Sequence, residues 1–149
     1  MASNTTLCAN TLSTNSMNAG TLNHKLKMIT ASSGNKVLSM ADSGSVVIPS
    51  GGARTITLPA VANSNGFNMV LFSGSAHSHI LKTAASDETS LEGSIMHNAN
   101  AGTPTRQEVT GHKQITLTNN PLVGDVVRVH CDGTNYFVHG DVNNAVVLA

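Results

Sequence analysis

From Lys25 to the C-terminus, the chain consists of short apolar or alternating runs separated by turn-forming residues. SVVIP (45–49) and FNMVLF (67–72) are two of these runs, and SSGN (32–35) and ADSG (41–44) are two of the turns. Runs of this length bounded by Gly, Asn, Asp and Ser are typical of β-strands. No segment places apolar residues at helical spacing over three turns. The pattern predicts about eleven or twelve strands and an all-β fold, an antiparallel β-sandwich or jelly-roll-like domain.

Residues 1–24 differ from the rest of the chain. They are rich in Ser, Thr and Asn, have no charged side chain before His24, and contain isolated apolar residues at Leu7, Leu12, Met17 and Leu22. One interpretation is a tail without stable structure, and the other is an extended arm that docks on a neighbouring subunit. We divide the chain into an extended or flexible N-terminal arm, 1–24, and a single β-sandwich domain, 25–149, which is long enough to bury a core.

Charge and composition exclude several classes of partner. The net charge is zero and Lys and Arg form no cluster, whereas nucleic-acid binding requires clustered positive charge. No apolar run approaches the length of a membrane span. The polar N-terminus lacks the features of a secretory signal, so we expect synthesis in a cytoplasm. In that compartment Cys8 and Cys131 are expected to be free thiols.

Residues 124–140, GDVVRVHCDGTNYFVHG, predict a β-hairpin. Asp132-Gly133 is a turn pair because Gly accepts a positive φ. With a loop of two or four residues, one face of the hairpin carries Val127, Val129, Cys131, Tyr136 and Val138. The other face then carries Val126, Arg128, His130, Phe137 and His139, whereas a three-residue loop would exchange the faces of the second strand. The mixed face is typical of a subunit contact or a solvated wall, and Arg128, His130, Phe137 and His139 are our candidate subunit-interface residues.

His77-Ser78-His79 is the motif closest to a metal site, because residues i and i+2 of a strand point the same way. Metal-binding barrels of the cupin class use such a pair with a Glu soon after it. Here Asp87 and Glu88 come too late and no second motif follows, so we expect turn residues and no metal. A metal-dependent jelly-roll enzyme using His77 and His79 is the alternative. No other catalytic or cofactor-binding pattern is present, and we expect neither an enzyme nor a cofactor.

The remaining polar and aromatic residues suggest further alternatives. Seven histidines could line an inter-subunit axis or act as a protonation switch, although ordinary polar strand residues are the preferred interpretation. The chain has no Trp, and its Tyr and three Phe lie within predicted strands. Exposed aromatics commonly form sugar sites, so carbohydrate binding is disfavoured.

Five short motifs occur in a characteristic order: RTITLPA (54–60), GFNMV (66–70), SLEG (90–93), GDVVRV (124–129) and DGTNY (132–136). Together they resemble a β-rich module of tailed-bacteriophage virion proteins, namely head decoration (cement) proteins, head fibres and some tail-fibre segments. In that module a strand ends in Leu-Pro, a Gly-aromatic strand follows, and the final hairpin has Asp-Gly before an aromatic residue. Tyr136 stands where Trp is common, and the resemblance covers residues 54–140.

The resemblance implies a structural role on a phage particle, usually as a homotrimer, and implies no catalytic residue. The small size favours decoration over a fibre. We therefore expect a protein made in the cytoplasm of a bacterial host and located on the outer capsid surface of the virion. There it would clamp adjacent copies of the major capsid protein, with capsid contacts from Leu7, Leu12, Met17 and Leu22. The alternative is a head- or tail-fibre module that binds a host receptor or glycan.

Overall fold

The computed structural model describes residues 26–87, 89–98, 103–118 and 122–149. These residues form twelve strands and two single-turn 3-10 helices, Met40–Asp42 and Val61–Asn63. The strands are β1 Met28–Ala31, β2 Lys36–Val37, β3 Ser45–Pro49, β4 Thr55–Thr57, β5 Asn68–Phe72, β6 His79–Lys82, β7 Leu91–His97, β8 Thr105–His112, β9 Gln114–Leu117, β10 Val126–Cys131, β11 Tyr136–Val142 and β12 Val147–Leu148. The predicted all-β class is confirmed.

The strands are divided between two sheets. The seven-stranded sheet has the order β1-β3-β5-β10-β11-β7-β8, and the five-stranded sheet has the order β12-β9-β6-β4-β2. From β1 to β6 the chain alternates strictly between the two sheets. Each of these strands is followed in the chain by a strand of the opposite sheet. The connections can be short because consecutive strands lie close together in space.

Antiparallel pairing was the expectation for both sheets, and it is met only in part, because both sheets are mixed. Parallel pairs join β1 to β3, β3 to β5, β2 to β4, β4 to β6 and β7 to β11. Parallel neighbours need a crossover connection. For the first four pairs one intervening strand of the other sheet provides it, whereas β8, β9 and β10 all lie between β7 and β11 in the chain. The jelly-roll variant of the prediction is not confirmed by this strand order.

One hydrophobic cluster draws on both sheets. Val47, Leu71 and Val129 come from the seven-stranded sheet, and Ile56 and Ile115 come from the five-stranded sheet; all are buried. Residues alternate along most strands between this core and the outside, as in β11, whose seven residues are alternately buried and exposed. The arrangement is compatible with a β-sandwich, in which each sheet buries its inner face against the other.

The predicted hairpin is present as β10 and β11, with Cys131 paired to Tyr136 across a loop of residues 132–135. The Asp132 carboxylate accepts hydrogen bonds from the backbone N–H groups of Thr134 and Asn135, both at 2.7 Å. Gly133 has φ +90°, which a residue with a Cβ rarely adopts. The four-residue loop confirms the predicted assignment of side chains to the two faces of the hairpin.

Motifs that are far apart in the sequence meet at one corner of this fold. The Tyr136 hydroxyl donates a hydrogen bond to the carbonyl oxygen of Pro59 at 2.8 Å. The Phe67 ring meets the Tyr136 ring edge-on, with centroids 6.3 Å apart. Burial raises the pKa of Tyr136 to about 12, so its hydroxyl stays protonated and remains a donor. The Leu-Pro, Gly-aromatic and Asp-Gly-aromatic motifs therefore build a common structural corner.

Candidate interaction surface

The four candidate interface residues of the hairpin lie together on the outer face of the seven-stranded sheet. Arg128 is paired with His139, and His130 is paired with Phe137, across β10 and β11. All four are exposed, and Phe137 has 46 % of its surface accessible. Their neighbours Val127, Val129 and Val138 are buried in the core. The structure thus brings the four predicted residues into one outward-facing group.

The group is part of a larger polar area that continues across β7 and β8. His139 is paired with Ser94, and Ser94 with Glu108; Phe137 is paired with Glu92. We call this area the polar half of the outer face, and its members are Glu92, Ser94, Arg106, Glu108, Arg128, His130, Phe137, His139 and Asp141. It contains charges of both signs around a single exposed aromatic ring. An apolar anchor within a charged and polar surrounding is common in protein interfaces.

The other side of the same face contains a group of adjacent apolar residues, which the sequence reasoning missed. Met28 is paired with Val46, Val46 with Val70, and Val70 with Arg128, so that one row crosses from apolar to polar residues. Phe72 and Val126 form a second apolar pair beside it. We call Met28, Val46, Val70, Phe72 and Val126 the apolar half. Except for Met28, which is exposed, its members are partly exposed.

A signal for the apolar half was present in the sequence. SVVIP and FNMVLF contain consecutive apolar residues rather than apolar residues at every second position. Their alternate members Val47, Met69 and Leu71 are buried, so the remaining members project from the outer face. Strands that are apolar on both faces are characteristic of sheets covered on both sides. The composition of β3 and β5 therefore resembles that of strands with apolar residues on both faces, and the outer face of these two strands is partly exposed in the single chain.

The predicted capsid-binding residues Leu7, Leu12, Met17 and Leu22 lie outside the described residues. The described chain begins at Leu26, which is 71 % exposed, and enters β1 beside the apolar half. The Lys27 ammonium donates to the Asp42 carboxylate at 2.6 Å and to the Ala41 carbonyl at 2.9 Å. The Lys27 partner also holds the pKa of Asp42 below its usual range. These contacts hold the start of β1 against the 3-10 helix Met40–Asp42.

The histidines of the His77-Ser78-His79 motif do not form a joint site. His79 is fully buried at the start of β6, whereas His77 is exposed in the preceding turn. Within the described parts of the chain, no group of three or more His, Cys, Asp or Glu side chains is arranged to hold a metal ion.

Ser75 and His79 form a contact between a hydroxyl and an imidazole, as a nucleophile and its base would. The Ser75 hydroxyl lies 3.3 Å from Nε2 of His79. A catalytic histidine of this kind is oriented by a third group on its other nitrogen, but Nδ1 of His79 is buried with no hydrogen-bond partner among the described residues. Burial lowers the pKa of His79 below its usual value. The pair therefore fits a neutral core histidine.

We expect His79 to make the stability of the domain depend on pH. Its pKa is lowered in the folded state, so between that value and the ordinary 6.5 the unfolded chain binds more protons. The free energy of unfolding should therefore fall as the pH drops below about 6.5, by at most about 1.4 kcal/mol per pH unit. Urea titrations at pH 7.5, 6.5 and 5.5 measure this slope. His79→Leu should flatten it, whereas the exposed control His77→Leu should not; equal slopes in both variants would exclude His79 as the cause.

A small cavity lies at the ends of β6 and β9 in the five-stranded sheet. It has a volume of about 220 Å³ and is lined by Lys82, Thr83, Ala84, Ala85, Lys113 and Gln114. Typical small-molecule sites are about 300–1,000 Å³ and mostly apolar, and this one contains no acid, histidine or thiol. Cys131 is a free, buried thiol whose pKa is raised by burial, which disfavours a reactive role.

The outer face of the seven-stranded sheet is therefore the main candidate site, and it is suited to binding a macromolecular surface. None of the described helices is long and apolar enough to cross a membrane. No family model, no curated protein and no solved structure matches this chain.

Proposed function

We propose that the chain is a structural protein of a tailed-bacteriophage virion, located on the outer capsid surface, where it associates as a homotrimer and binds the major capsid protein. The single observation that carries the proposal is the outer face of the seven-stranded sheet, with its apolar half and polar half side by side. The motifs between residues 54 and 140 supply the phage context. The protein would stabilise the shell by clamping adjacent capsid subunits, and no chemical step is involved.

The proposed mechanism is the burial of additional interface. A surface with few charges can be buried against a partner without leaving charges unpaired, and charged residues make up only 11 % of this chain. In a trimer, three identical contacts act together, so individually weak contacts give strong attachment. The N-terminal residues Leu7, Leu12, Met17 and Leu22 would add apolar contacts to the capsid.

Self-association would use the hairpin residues of the polar half. Phe137 is the exposed aromatic ring of this area, and Arg128 lies on the neighbouring strand, diagonally across from it on the same face. Aromatic and Arg side chains dominate the binding energy of many interfaces. His130 and His139 complete the group, and Glu92 and Glu108 supply the opposite charge for pairing between subunits.

The double variant Arg128→Glu/Phe137→Asp is expected to convert the trimer into monomers, because it reverses a charge and removes the aromatic anchor. Light scattering after size-exclusion chromatography gives the mass of each species. Lys82→Glu is the matched control, since it reverses an exposed charge on β6 of the other sheet and should leave the trimer intact. A variant that remains trimeric would exclude the hairpin from the interface, and a monomeric parent chain would refute the trimer.

The copy number per particle tests the proposed function as a whole. Quantitative mass spectrometry of purified virions should find the chain in amounts comparable to the major capsid protein. Copies limited to a small fraction of that amount would instead indicate a head- or tail-fibre module, and binding to host receptors or glycans would then be measured. Absence of the chain from particles would refute a virion role.

A further inference from the structure

We infer that β8, an edge strand of the seven-stranded sheet, pairs antiparallel with β8 of a second copy of this chain. In this pairing Arg106 of each copy lies opposite Glu108 of the other, with the two Gln107 residues opposite each other at the two-fold axis. The inference goes beyond the proposed function, whose self-association uses the hairpin residues of the outer face. It rests on β8 and its neighbours alone and does not depend on a virion role.

The first support is the free edge of β8. This strand is eight residues long and is the last strand of its sheet, with β7 on one side and no described strand on the other. A strand in this position presents a row of main-chain N–H and C=O groups that can pair with another chain. Arg106, Glu108 and Thr110 are all exposed. The edge is therefore accessible to a second strand.

The hydrogen bonds of β7 show which main-chain groups of β8 are free. Ser90 and Asn98, just outside the two ends of β7, both bond to β11 through their main chains. Because the direction alternates along a strand, the even-numbered residues of β7 are directed at β11 and the odd-numbered ones at β8. The odd-numbered residues of β7 are paired with odd-numbered residues of β8. The main-chain groups of Arg106 and Glu108 consequently point away from the sheet.

The second support is the charge pattern along this edge. Arg106 and Glu108 project from the same face of β8, and neither forms an ion pair within the described parts of the chain. Directly opposite residues of antiparallel strands stabilise the pairing when their charges are unlike and destabilise it when they are alike. An axis at Glu108 would oppose two carboxylates. With Gln107 at the axis, each Arg106 meets a Glu108, and each such pair exchanges two main-chain hydrogen bonds.

The charge pattern also selects the occupant. An arginine and a glutamate two positions apart are self-complementary under a two-fold rotation, so a second copy of the chain supplies the matching strand. Charged side chains on an edge usually oppose pairing with other strands, and here they permit one register. In that register Pro104 lies opposite Thr110 and has no N–H to donate, so it limits the pairing to the residues between them.

The third support is the anchoring of β8 at the proposed axis. The Gln107 carboxamide donates a hydrogen bond to the Val146 carbonyl at 2.9 Å and accepts one from the Val146 N–H at 3.1 Å. Val109, the next inward residue, is fully buried. These contacts hold β8 in its extended form from the inner side of the sheet. Pairing therefore requires little further ordering of the strand.

The contact is small, because each copy contributes one short strand, and small interfaces are typical of weak, transient complexes. We therefore expect it in concentrated solution, or where copies are held side by side at a local concentration of about millimolar, and not in dilute solution. The pairing lies in the plane of the sheet, so the outward hairpin residues stay accessible. Glu108 is engaged at the edge, and Glu92 remains as the acidic partner for the hairpin.

Amide hydrogen exchange, measured by NMR in dilute and in concentrated solution, tests the inference. We expect the amides of Arg106 and Glu108 to exchange severalfold more slowly in the concentrated sample, because they are hydrogen-bonded only in the paired state. Thr30 is the control at the opposite edge: its neighbour Ala31 bonds towards the β3 side, so the Thr30 amide points outward and should not change. Unchanged exchange at Arg106 and Glu108, or equal slowing at Thr30, would overturn the inference.

Charge-swap variants test the register. Arg106→Glu and Glu108→Arg each place like charges opposite each other and should abolish the slower exchange. The double variant Arg106→Glu/Glu108→Arg restores unlike pairs and should restore it. A double variant that behaves like the single variants would refute the register, and single variants that behave like the parent chain would refute the pairing of these two charges.

The hairpin contact is separated from the edge contact by repeating the measurement in the Arg128→Glu/Phe137→Asp variant. Slower exchange at Arg106 and Glu108 should persist there, because the edge contact does not involve the outward hairpin residues. If it disappears together with the trimer, the protection arises from the hairpin contact and the inference is refuted. A parent chain that is monomeric in dilute solution would refute the trimer and leave this test unaffected.

Discussion

Replacement of Gly93 by alanine is expected to prevent stable folding. Gly93 lies in β7 and is paired with Val138 of the parallel neighbour β11. A Cβ at this position would overlap the carbonyl oxygen of Val138, and the backbone of Gly93 has φ +137°. The obstacle is backbone in the middle of the sheet and cannot rotate away. We expect a loss of more than about 4 kcal/mol, which is a large part of the roughly 5–15 kcal/mol that stabilises an ordinary domain.

Two further glycine variants separate the causes of this effect. Gly66 has φ +80°, but a Cβ added there would meet only open space, so Gly66→Ala tests the backbone conformation alone and should cost about 1–2 kcal/mol. Gly140 has an ordinary φ, but a Cβ there would lie 2.8 Å from the Val126 carbonyl oxygen and from Cδ1 of Ile95. Gly140→Ala should therefore fall between the other two variants.

Urea denaturation followed by circular dichroism ranks the three glycine variants, with Ser94→Ala as the control for a change in β7. Ser94 is on the outer face and should change the free energy of unfolding by less than about 0.5 kcal/mol. If Gly93→Ala were folded and within about 1 kcal/mol of the parent, the close approach of β7 to β11 would be incorrect. The intermediate rank of Gly140→Ala keeps the comparison informative even if Gly93→Ala is recovered only as insoluble protein.

Truncation of Tyr136 is expected to have the second largest effect. Its side chain is fully buried, packs edge-on against Phe67 and donates a hydrogen bond to the Pro59 carbonyl. Tyr136→Ala removes the aromatic contact and leaves a cavity where the sequence motifs converge. Substitutions of this kind cost about 3–5 kcal/mol, and they also leave the carbonyl without its donor.

The neighbouring residues of β11 provide a matched control for Tyr136. Phe137 follows it directly but points to the outer face with 46 % of its surface exposed. Phe137→Ala therefore removes few contacts within the chain and should lower its free energy of unfolding by less than about 1 kcal/mol. Tyr136→Phe retains the ring and loses only the hydroxyl, with an expected cost of about 1 kcal/mol. Chemical denaturation of the three variants at one protein concentration measures these differences. Similar losses for Tyr136→Ala and Phe137→Ala would contradict the assigned faces of β11.

The hairpin shows how far the candidate site could be predicted. Arg128, His130, Phe137 and His139 were placed on one face from the alternation of their neighbours and the Asp132-Gly133 turn, and the register confirms this placement. The alternation and the turn pair both involve residues only a few positions apart, so they can be recognised in a short stretch of sequence. The role of these residues in subunit contacts stays a prediction, which the charge-reversal experiment tests.

The burial of His79 could not be predicted from the neighbouring sequence. In the sequence it belongs to a polar turn together with His77, yet it is fully buried and its partner Ser75 lies four residues earlier. Its position follows from the pairing of β6 with β4 and β9. Residues as far away in the sequence as Thr55 and Leu117 therefore help to determine whether this histidine is solvated, and no local pattern contains that information.

By itself, the sequence determined which segments are strands and which residues of a strand face the same way. These properties depend on side-chain alternation and turn residues, which act over a few positions. Only the tertiary structure decided that β1, β3, β5 and β10 are neighbours and that their outward residues Met28, Val46, Val70, Phe72 and Val126 form one apolar half. Strand order is set by which surfaces can be buried together across two sheets. That condition involves contacts between residues far apart in the chain, such as Val70 and Arg128, so it becomes visible only when the whole chain is folded.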